Sequence, residues 1–211
     1  MDSISRYMYY INKYPDRFIN NPLLNMVLEE EELRRTSNQM NKSIGVVFEN
    51  EYITLVVDLI KNAEGNCYTY SRILNKNEYN GVVVIPIMGD RIVFIKQFRH
   101  ATRNYELELP RGFSEGHLSK EENARTEIYE ELGVKAYDIK CLGTVVSDSG
   151  LVGGVVYVFC CKIDHIGNLE EEEGIENVSI LTWDEIDEYI RENKIRDSFS
   201  ISALYKYRCE Q

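Results

Sequence analysis

Three glutamates in the segment 119–134 have a spacing that could bind a metal ion. Glu127 lies three residues before Glu130 and four before Glu131, so a helix would place all three on one face. Carboxylates crowded in this way repel one another by about a few tenths of a kcal/mol per pair. A divalent cation would turn that repulsion into binding, because Mg²⁺ takes carboxylate oxygens and prefers substrate phosphates and water as its other ligands. Taken alone, such a run is more often a solvated helix face.

The residues around the glutamates predict the helix that would hold them. Ser119 and Glu122 have the spacing of a capping box, which marks a helix start. Gly133 stands where a left-handed residue ends a helix. An apolar stripe recurs at a spacing of four: Ala124, Ile128 and Leu132. A strand-like segment runs into Pro110 just before a glycine-bearing loop, so we expect strand, loop and acidic helix in that order.

Residues 112–134 resemble the Nudix box. That pattern is Gly, five residues, Glu, seven residues, Arg-Glu, an apolar residue, any residue, Glu-Glu, any residue, Gly and an apolar residue. Seven positions match at the right spacing: Gly112, Glu127, Ile128, Glu130, Glu131, Gly133 and Val134. Two positions depart, because Leu118 replaces the first glutamate and Thr126 replaces the arginine. In the family, those two residues lie near the carboxylates and help to orient them.

The resemblance extends to about residues 45–207 and looks like the ADP-ribose pyrophosphatase branch of the superfamily. In that branch, a Gln-aromatic-Arg strand precedes a Leu-Glu-Leu-Pro entry to the box, as at 97–99 and 107–110 here. The resemblance implies an α+β Nudix fold, in which a mixed β-sheet is sandwiched between helices. It also implies metal-dependent hydrolysis of the diphosphate linkage of a nucleoside diphosphate sugar resembling ADP-ribose, with Mg²⁺ or Mn²⁺ as cofactor.

The resemblance also assigns the metal-site residues. Glu127 and Glu131, one helical turn apart, are the first-choice metal ligands, and Glu130 completes the cluster as a bridging ligand or as the catalytic base. The family also uses the backbone carbonyl just before the box glycine, which here belongs to Arg111.

Two further residues are assigned to the substrate site. Arg99 matches a phosphate-binding arginine, although it could be a surface arginine of a strand. Glu108 matches an acid near the metals, although it could equally form a structural hydrogen bond to the loop. The family often has another acid in the loop before a later core strand, and that position is Gly154 here. Asp148 or an acid of 170–173 could replace it.

Composition excludes several classes of protein. At 211 residues and 24.6 kDa, the chain suits one domain, or one domain with an extension. The net charge of −11 argues against non-specific binding to nucleic acid or to an anionic membrane. The longest apolar run, 151–161, is far shorter than the roughly 20 residues that span a bilayer, and we expect a single strand there. The resemblance implies instead a small-molecule nucleotide substrate as the partner.

The cysteines and the N-terminal sequence predict a cytoplasmic protein. Five cysteines form no Cys-x-x-Cys pair and are odd in number, as expected of reduced thiols. Cys160 and Cys161 are adjacent on a predicted strand, so they should point to opposite faces. The first residues lack the layout of a secretory signal.

We expect a helical N-terminal extension over 1–43 and a Nudix domain over 44–211, with additional N-terminal strands at 44–75. An amphipathic helix is predicted at 22–35. In the family branch, the additional strands usually pack across a homodimer, which the resemblance therefore implies. Other predicted elements are β-rich runs at 45–61 and 66–74, strands at 81–88, 91–98, 137–146, 154–163 and 178–182, a helix from the capping box of Thr182 and Glu185 to about Asn193, and a last helix from near Ser198.

Two alternatives stay open. The chain could be a regulatory Nudix domain that binds a nucleotide, with catalysis lost through Leu118, Thr126 and Gly154. The retention of all three helix glutamates favours an enzyme, because a binding module has little use for a repulsive cluster. The chain could also be a Nudix hydrolase of another class, acting on a dinucleotide or a different nucleotide sugar, since no residue identifies the base or the sugar.

Overall fold

A computed structural model describes residues 1–75, 81–113, 117–169 and 174–210. The Glu-rich run at 170–173 lies outside these ranges. The helices are α1 (Ser3–Lys13), α2 (Glu30–Met40), α3 (Lys120–Leu132), α4 (Trp183–Arg191) and α5 (Ser198–Arg208), with a 3₁₀ turn at Pro15–Phe18. The strands are β1 (Leu24–Met26), β2 (Gly45–Glu49), β3 (Ile53–Asn62), β4 (Cys67–Asn75), β5 (Val82–Met88), β6 (Arg91–Arg99), β7 (Asn104–Glu108), β8 (Arg111–Gly112), β9 (Tyr137–Val145), β10 (Val152–Gly153), β11 (Val156–Lys162) and β12 (Ile175–Leu181).

The chain forms two compact units. The first comprises Met1–Asn77 with Asp148–Gly154, and the second comprises Glu78–Ser147 with Val155–Gln211. The proposed boundary between an extension at 1–43 and a domain at 44–211 stays a prediction. Among the described residues, no helix is both long and apolar enough to cross a membrane.

The first unit packs helices against a sheet of β1, β2, β3, β4 and β10. Strands β3 and β4 pair antiparallel along nearly their whole length, and β10 adds to β4 in parallel. The Asp2 side chain caps α1 by accepting a hydrogen bond from the Ser5 amide. Residues of α1, α2 and the strands share one apolar core that includes Ile4, Tyr7, Leu33, Val46, Val56 and Leu59.

The predicted helix at 22–35 is wrong in its first half. Leu24–Met26 forms β1, which pairs antiparallel with β3, and the helix begins only at Glu30. The Asn20 side chain stabilises the strand, because it donates to the Met26 carbonyl at 3.1 Å and accepts from the Met26 amide at 2.6 Å. Backbone pairing with a strand more than thirty residues away therefore overrides the local helical pattern.

The second unit is a mixed sheet between helices, as predicted. Five of its strands follow the order β12-β6-β5-β11-β9, with β7 paired to β6 and β8 paired to β5. Strands β5 and β11 are parallel, whereas the other pairs are antiparallel. One face packs against α3 through Ala124, Ile128 and Leu132, and the opposite face packs against residues of α4 and α5. Cys161 belongs to the core on the α3 face of this sheet, and Cys160 belongs to the core on the opposite face. This confirms that the two side chains point in opposite directions.

Helix α3 has the predicted ends. The Ser119 hydroxyl accepts from the Glu122 amide, and the Glu122 carboxylate accepts from the Ser119 amide, which completes the capping box. Gly133 ends the helix in the left-handed region with φ of 63°. Thr182 and Glu185 form a second capping box before α4. The predicted hairpin at 81–98 and the last helix from Ser198 are also present.

Two long β-rich runs are divided in the structure. The run at 45–61 forms β2 and β3, because the Asn50 carboxamide accepts hydrogen bonds from the amides of Tyr52 and Ile53 and turns the chain between them. The run at 151–161 was predicted as one strand, and this is wrong. Its first part is β10, which pairs with β4 in the first unit, and its second part is β11 in the second unit.

Candidate active site

Strand β8, which precedes α3 in the sequence, lies against Glu127 and Glu131, two of the three predicted glutamates. Strand β8 pairs with β5, which places Arg111 and Gly112 at the surface of the sheet that α3 covers. The Glu131 carboxylate accepts a hydrogen bond of 3.2 Å from the Arg111 amide. The Glu127 carboxylate lies so close to Gly112 that a methyl group added there would collide with both of its oxygens. Glu127, Glu131 and β8 therefore form one cluster.

Glu131 is a buried acid. Its residue is only 2% exposed, and this burial, reinforced by the neighbouring charge of Glu127, raises its pKa to about 9. The positive charge of Arg99 and the amide of Arg111 oppose that rise. A carboxyl group in this setting keeps its proton at neutral pH unless a cation offsets the cost of its charge.

A second buried acid, Glu108, lies beside Glu131 and holds two arginines. Its carboxylate accepts a bond of 2.5 Å from Arg99 Nε and bonds of 3.2 Å from Arg111 Nε and Nη2. Burial raises the pKa of Glu108, and the guanidinium groups of Arg111 and Arg99 oppose the rise. Both proposed roles of Glu108 are therefore compatible with the structure, since it bonds Arg111 of β8, just before the loop, and also lies within electrostatic range of Glu131.

Helix α5 contributes residues that the sequence did not single out. Asp197 caps α5 by accepting bonds of 2.8 Å from the amide and hydroxyl of Ser200. The Ser200 Oγ in turn accepts a bond of 2.9 Å from the Leu109 amide, and Arg111 Nη2 lies 3.7 Å from Asp197 Oδ1. This chain of contacts fixes the segment that enters β8. The capping pattern of Asp197 and Ser200 was visible in the sequence, but their partners were not.

A pocket of about 720 Å³ opens beside Glu108. Charged residues line it in equal numbers of each sign: Arg99, Arg111 and Arg196 with Glu106, Glu108 and Asp197. Arg196 holds Glu106 through two bonds of 2.8 and 2.7 Å. Arg99 Nη2 is buried and has no hydrogen-bond partner among the described residues. Because nearly all buried donors are paired, this guanidinium is a candidate contact for a ligand.

The donor set fits a magnesium-like ion that shares its shell with substrate and water. Among the described residues, no three His, Cys, Asp or Glu side chains converge closely enough to hold a metal ion by themselves. Mg²⁺ nevertheless usually binds through one or two carboxylates together with phosphates and water. Glu127 and the buried Glu131 provide two such carboxylates, and a cation there would offset the unfavourable ionisation of Glu131.

The comparisons with known proteins agree with this arrangement. The NUDIX domain model matches residues 78–201, which is more than half of the chain. This chain belongs to the Nudix family. The predictions of family, fold and enzyme class are thereby confirmed.

Two curated relatives and one solved structure illustrate the likeness. A methanol dehydrogenase activator of Bacillus methanolicus is 25% identical over 163 residues, which are 75% of this chain and 86% of that protein. An ADP-sugar pyrophosphatase of Mus musculus is 34% identical over 97 residues, which are 43% of this chain and 44% of the mouse protein. The crystal structure of an ADP compounds hydrolase has the same fold, with a TM-score of 0.67, 18% identity and coverage of 79% of this chain and 90% of that one.

The other residues of the Nudix prediction lie on α3, just before it and in the first unit. Glu130 lies on α3 and is half-exposed, so its role as a third ligand or as the base stays a prediction. Leu118 and Thr126, which depart from the Nudix box, are half-buried. Gly154 belongs to the first unit, and so does Asp148, whose carboxylate accepts from the amides of Gly150 and Leu151 and shapes its own turn.

Proposed function

We propose that this Nudix protein hydrolyses the diphosphate linkage of a nucleoside diphosphate sugar resembling ADP-ribose, and that it needs Mg²⁺ or Mn²⁺. The observation that carries the proposal is the pairing of Glu127 and Glu131 with Arg111 and Gly112, beside a pocket with an unpartnered donor on Arg99. The names of two similar proteins, an ADP-sugar pyrophosphatase and an ADP compounds hydrolase, support this class of substrate.

Each residue of the cluster then has a defined part. Glu127, Glu131 and the Arg111 carbonyl would hold the metal, with Glu130 as a further ligand or as the base that takes a proton from water. A bound metal supplies positive charge against the diphosphate and lowers the pKa of water. Arg99 would donate from Nη2 to a phosphate oxygen, while Glu108 holds its guanidinium in place through Nε.

A substrate screen tests the proposal. Purified protein is incubated with ADP-ribose, ADP-glucose and a diadenosine diphosphate in Mg²⁺, Mn²⁺ or EDTA, and the released nucleoside monophosphate is measured. We expect metal-dependent release from the ADP-sugars, at least about 100-fold faster in the wild type than in Glu131→Gln. Faster turnover of the dinucleotide would assign the chain to another substrate class.

A second candidate is a regulatory Nudix protein that binds a nucleotide and acts on a partner. The match to a protein named methanol dehydrogenase activator, which extends over 75% of this chain, favours this alternative. The two functions give different fates for the nucleotide. Recovery of intact ADP-ribose from a tight complex, without turnover that depends on Glu131, would support regulation by binding.

Assembly and location complete the proposal. We expect a homodimer that uses the strands of 44–75, because Phe48 and Tyr52 expose about half or more of their surface there. Light scattering at micromolar concentration gives the mass directly, and a value near 24.6 kDa would contradict dimerisation.

A cytoplasmic location is supported by five cysteines without disulfide partners.

A further inference from the structure

Strand β7 carries two buried acids that each hold an arginine at the same pocket. Glu106 and Glu108 are two residues apart on this strand, so their side chains lie on one face of the sheet. Glu108 accepts from Arg99, and Glu106 accepts bonds of 2.8 and 2.7 Å from Nε and Nη2 of Arg196. Both arginines line the pocket of about 720 Å³. The second pair therefore repeats the arrangement that holds the predicted phosphate contact.

The two glutamates already accept hydrogen bonds within the protein. Both carboxylate oxygens of Glu106 accept from Arg196. Glu108 accepts from Arg99 through Oε1 and from Arg111 through Oε2. No described residue accepts a hydrogen bond from Nη1 of Arg196 or from Nη2 of Arg99. Although acids and arginines line the pocket in equal number, these two pairs therefore present donors to a ligand.

The Arg196 guanidinium is both oriented and accessible. The Glu106 side chain is only 8% exposed, and a buried carboxylate is costly unless it is paired. The planar fork of arginine matches a carboxylate through two parallel bonds, which fixes the orientation of the guanidinium. The Arg196 side chain is nevertheless 42% exposed, so a ligand in the pocket can reach it. A donor that is held in place in this way loses little conformational freedom when a ligand binds.

We propose that Arg196 is a substrate-binding residue, which donates to one phosphate of the diphosphate linkage while Arg99 donates to the other. The inference rests on the proposed function, because it assumes that a diphosphate enters this pocket. Each phosphate of such a linkage carries negative charge, and guanidinium groups suit phosphate oxygens. Two anchored arginines therefore favour a ligand with two linked phosphates over a nucleoside monophosphate.

The test compares a ligand that has two phosphates with one that has a single phosphate. Affinities for ADP-ribose and for AMP are measured by calorimetry in EDTA for the wild type, Arg196→Gln and Arg196→Lys, and Tm is recorded for each. Lysine keeps the charge but lacks the fork. Arg208→Gln is the matched control, because Arg208 is 43% exposed and forms an ion pair of 2.6 Å with Asp187, but does not line the pocket.

We expect Arg196→Gln to bind ADP-ribose about 10-fold more weakly, as for the loss of one charge-assisted hydrogen bond, and to bind AMP within about twofold of the wild type. Arg196→Lys should recover part of the affinity for ADP-ribose, and Arg208→Gln should bind both ligands as the wild type does. A purely structural role would lower Tm without separating the two ligands. The inference is overturned if Arg196→Gln binds ADP-ribose as the wild type does, or if its affinity for AMP falls by the same factor.

Hydrolysis of ADP-ribose by the wild type in Mn²⁺ separates this inference from the proposed function. Turnover by the wild type, together with unchanged affinity in Arg196→Gln, would refute only the role of Arg196. Weaker binding in Arg196→Gln without any turnover by the wild type would support the phosphate contact and refute hydrolysis. A wild type that binds no ADP-ribose would overturn both.

Discussion

The carboxylate of Glu127 lies directly against the α-carbon of Gly112. A methyl group at Gly112 would collide with both carboxylate oxygens. Gly112 is absent from the glycines with positive φ, so its conformation alone does not require glycine. What requires it is the close approach of the Glu127 carboxylate, which links the first residue of the Nudix box to the first glutamate that the box places on α3.

Gly112→Ala should therefore damage the site more than the fold. The atoms in conflict are the far end of a flexible side chain, so Glu127 can move away at low cost in stability. We expect metal-dependent hydrolysis and Mn²⁺ affinity to fall about 10-fold or more, while Tm changes by only a few degrees. Gly153→Ala is the control, because ordinary contacts of 3.6 and 3.7 Å would surround its new methyl group. Equal activity of the two variants would refute the proposed geometry.

The buried acid Glu131 should make the metal-free protein less stable as pH rises. Its folded-state pKa is about 9, well above the ordinary value of 4.5. Between these two values, the unfolded chain loses the proton that the folded chain keeps, so the free energy of unfolding falls with increasing pH. Below pH 4.5 this loss is absent, and above pH 9 it is complete.

Glu131→Gln removes that dependence. In EDTA at pH 8, the variant should be about 1–3 kcal/mol more stable than the wild type, and the gain should shrink towards pH 5. Urea unfolding at the two pH values measures the difference. Glu121→Gln, on the exposed surface of the same helix, should change stability by less than about 1 kcal/mol at either pH. A gain for Glu131→Gln that does not depend on pH would contradict burial of an ionisable group.

Removing Arg99 should destabilise the fold through Glu108. In Arg99→Gln, the fully buried Glu108 carboxylate keeps Arg111 but loses its shortest charged bond, which should cost about 1–3 kcal/mol. Adding Glu108→Gln should recover part of that loss, because no buried charge then lacks its partner. A double-mutant cycle by urea unfolding measures the coupling, and additive effects of the two substitutions would show that the pair is not coupled.

The thiols provide a test of the second unit's core. Burial raises the pKa of Cys161 to about 12 and also raises that of Cys160, whereas Cys141 and Cys209 are exposed. Because the thiolate is the reactive form, a disulfide reagent at pH 8 should modify Cys141 and Cys209 quickly and the two buried thiols only after unfolding. Rapid modification of Cys160 or Cys161 in the native protein, located by peptide mass, would mean that the strand is not packed as described.

The parts of the fold that could be predicted depend on local signals. The ends of α3 follow from Ser119, Glu122 and Gly133, which act within a few residues of themselves. The pairing of Val152 and Gly153 with β4 could not be predicted, because this partner strand is distant in the sequence and nothing local to 152–153 indicates it.

The candidate site likewise contains some contacts that the sequence predicts and others that it does not. The pairing of Glu127 with Glu131 follows from helical spacing, but the link from Ser200 to Leu109 joins residues 91 positions apart. Nothing local to either residue indicates that link.

The most direct test of the account is the rate of AMP release from ADP-ribose as a function of Mn²⁺ concentration, in the wild type, Glu131→Gln and Glu121→Gln. We expect saturable, metal-dependent release by the wild type and by Glu121→Gln, and a loss of at least about 100-fold in Glu131→Gln at every metal concentration. Release that is unchanged by Glu131→Gln, or ADP-ribose that binds the wild type and is recovered intact, would contradict a hydrolytic site built on Glu127 and Glu131.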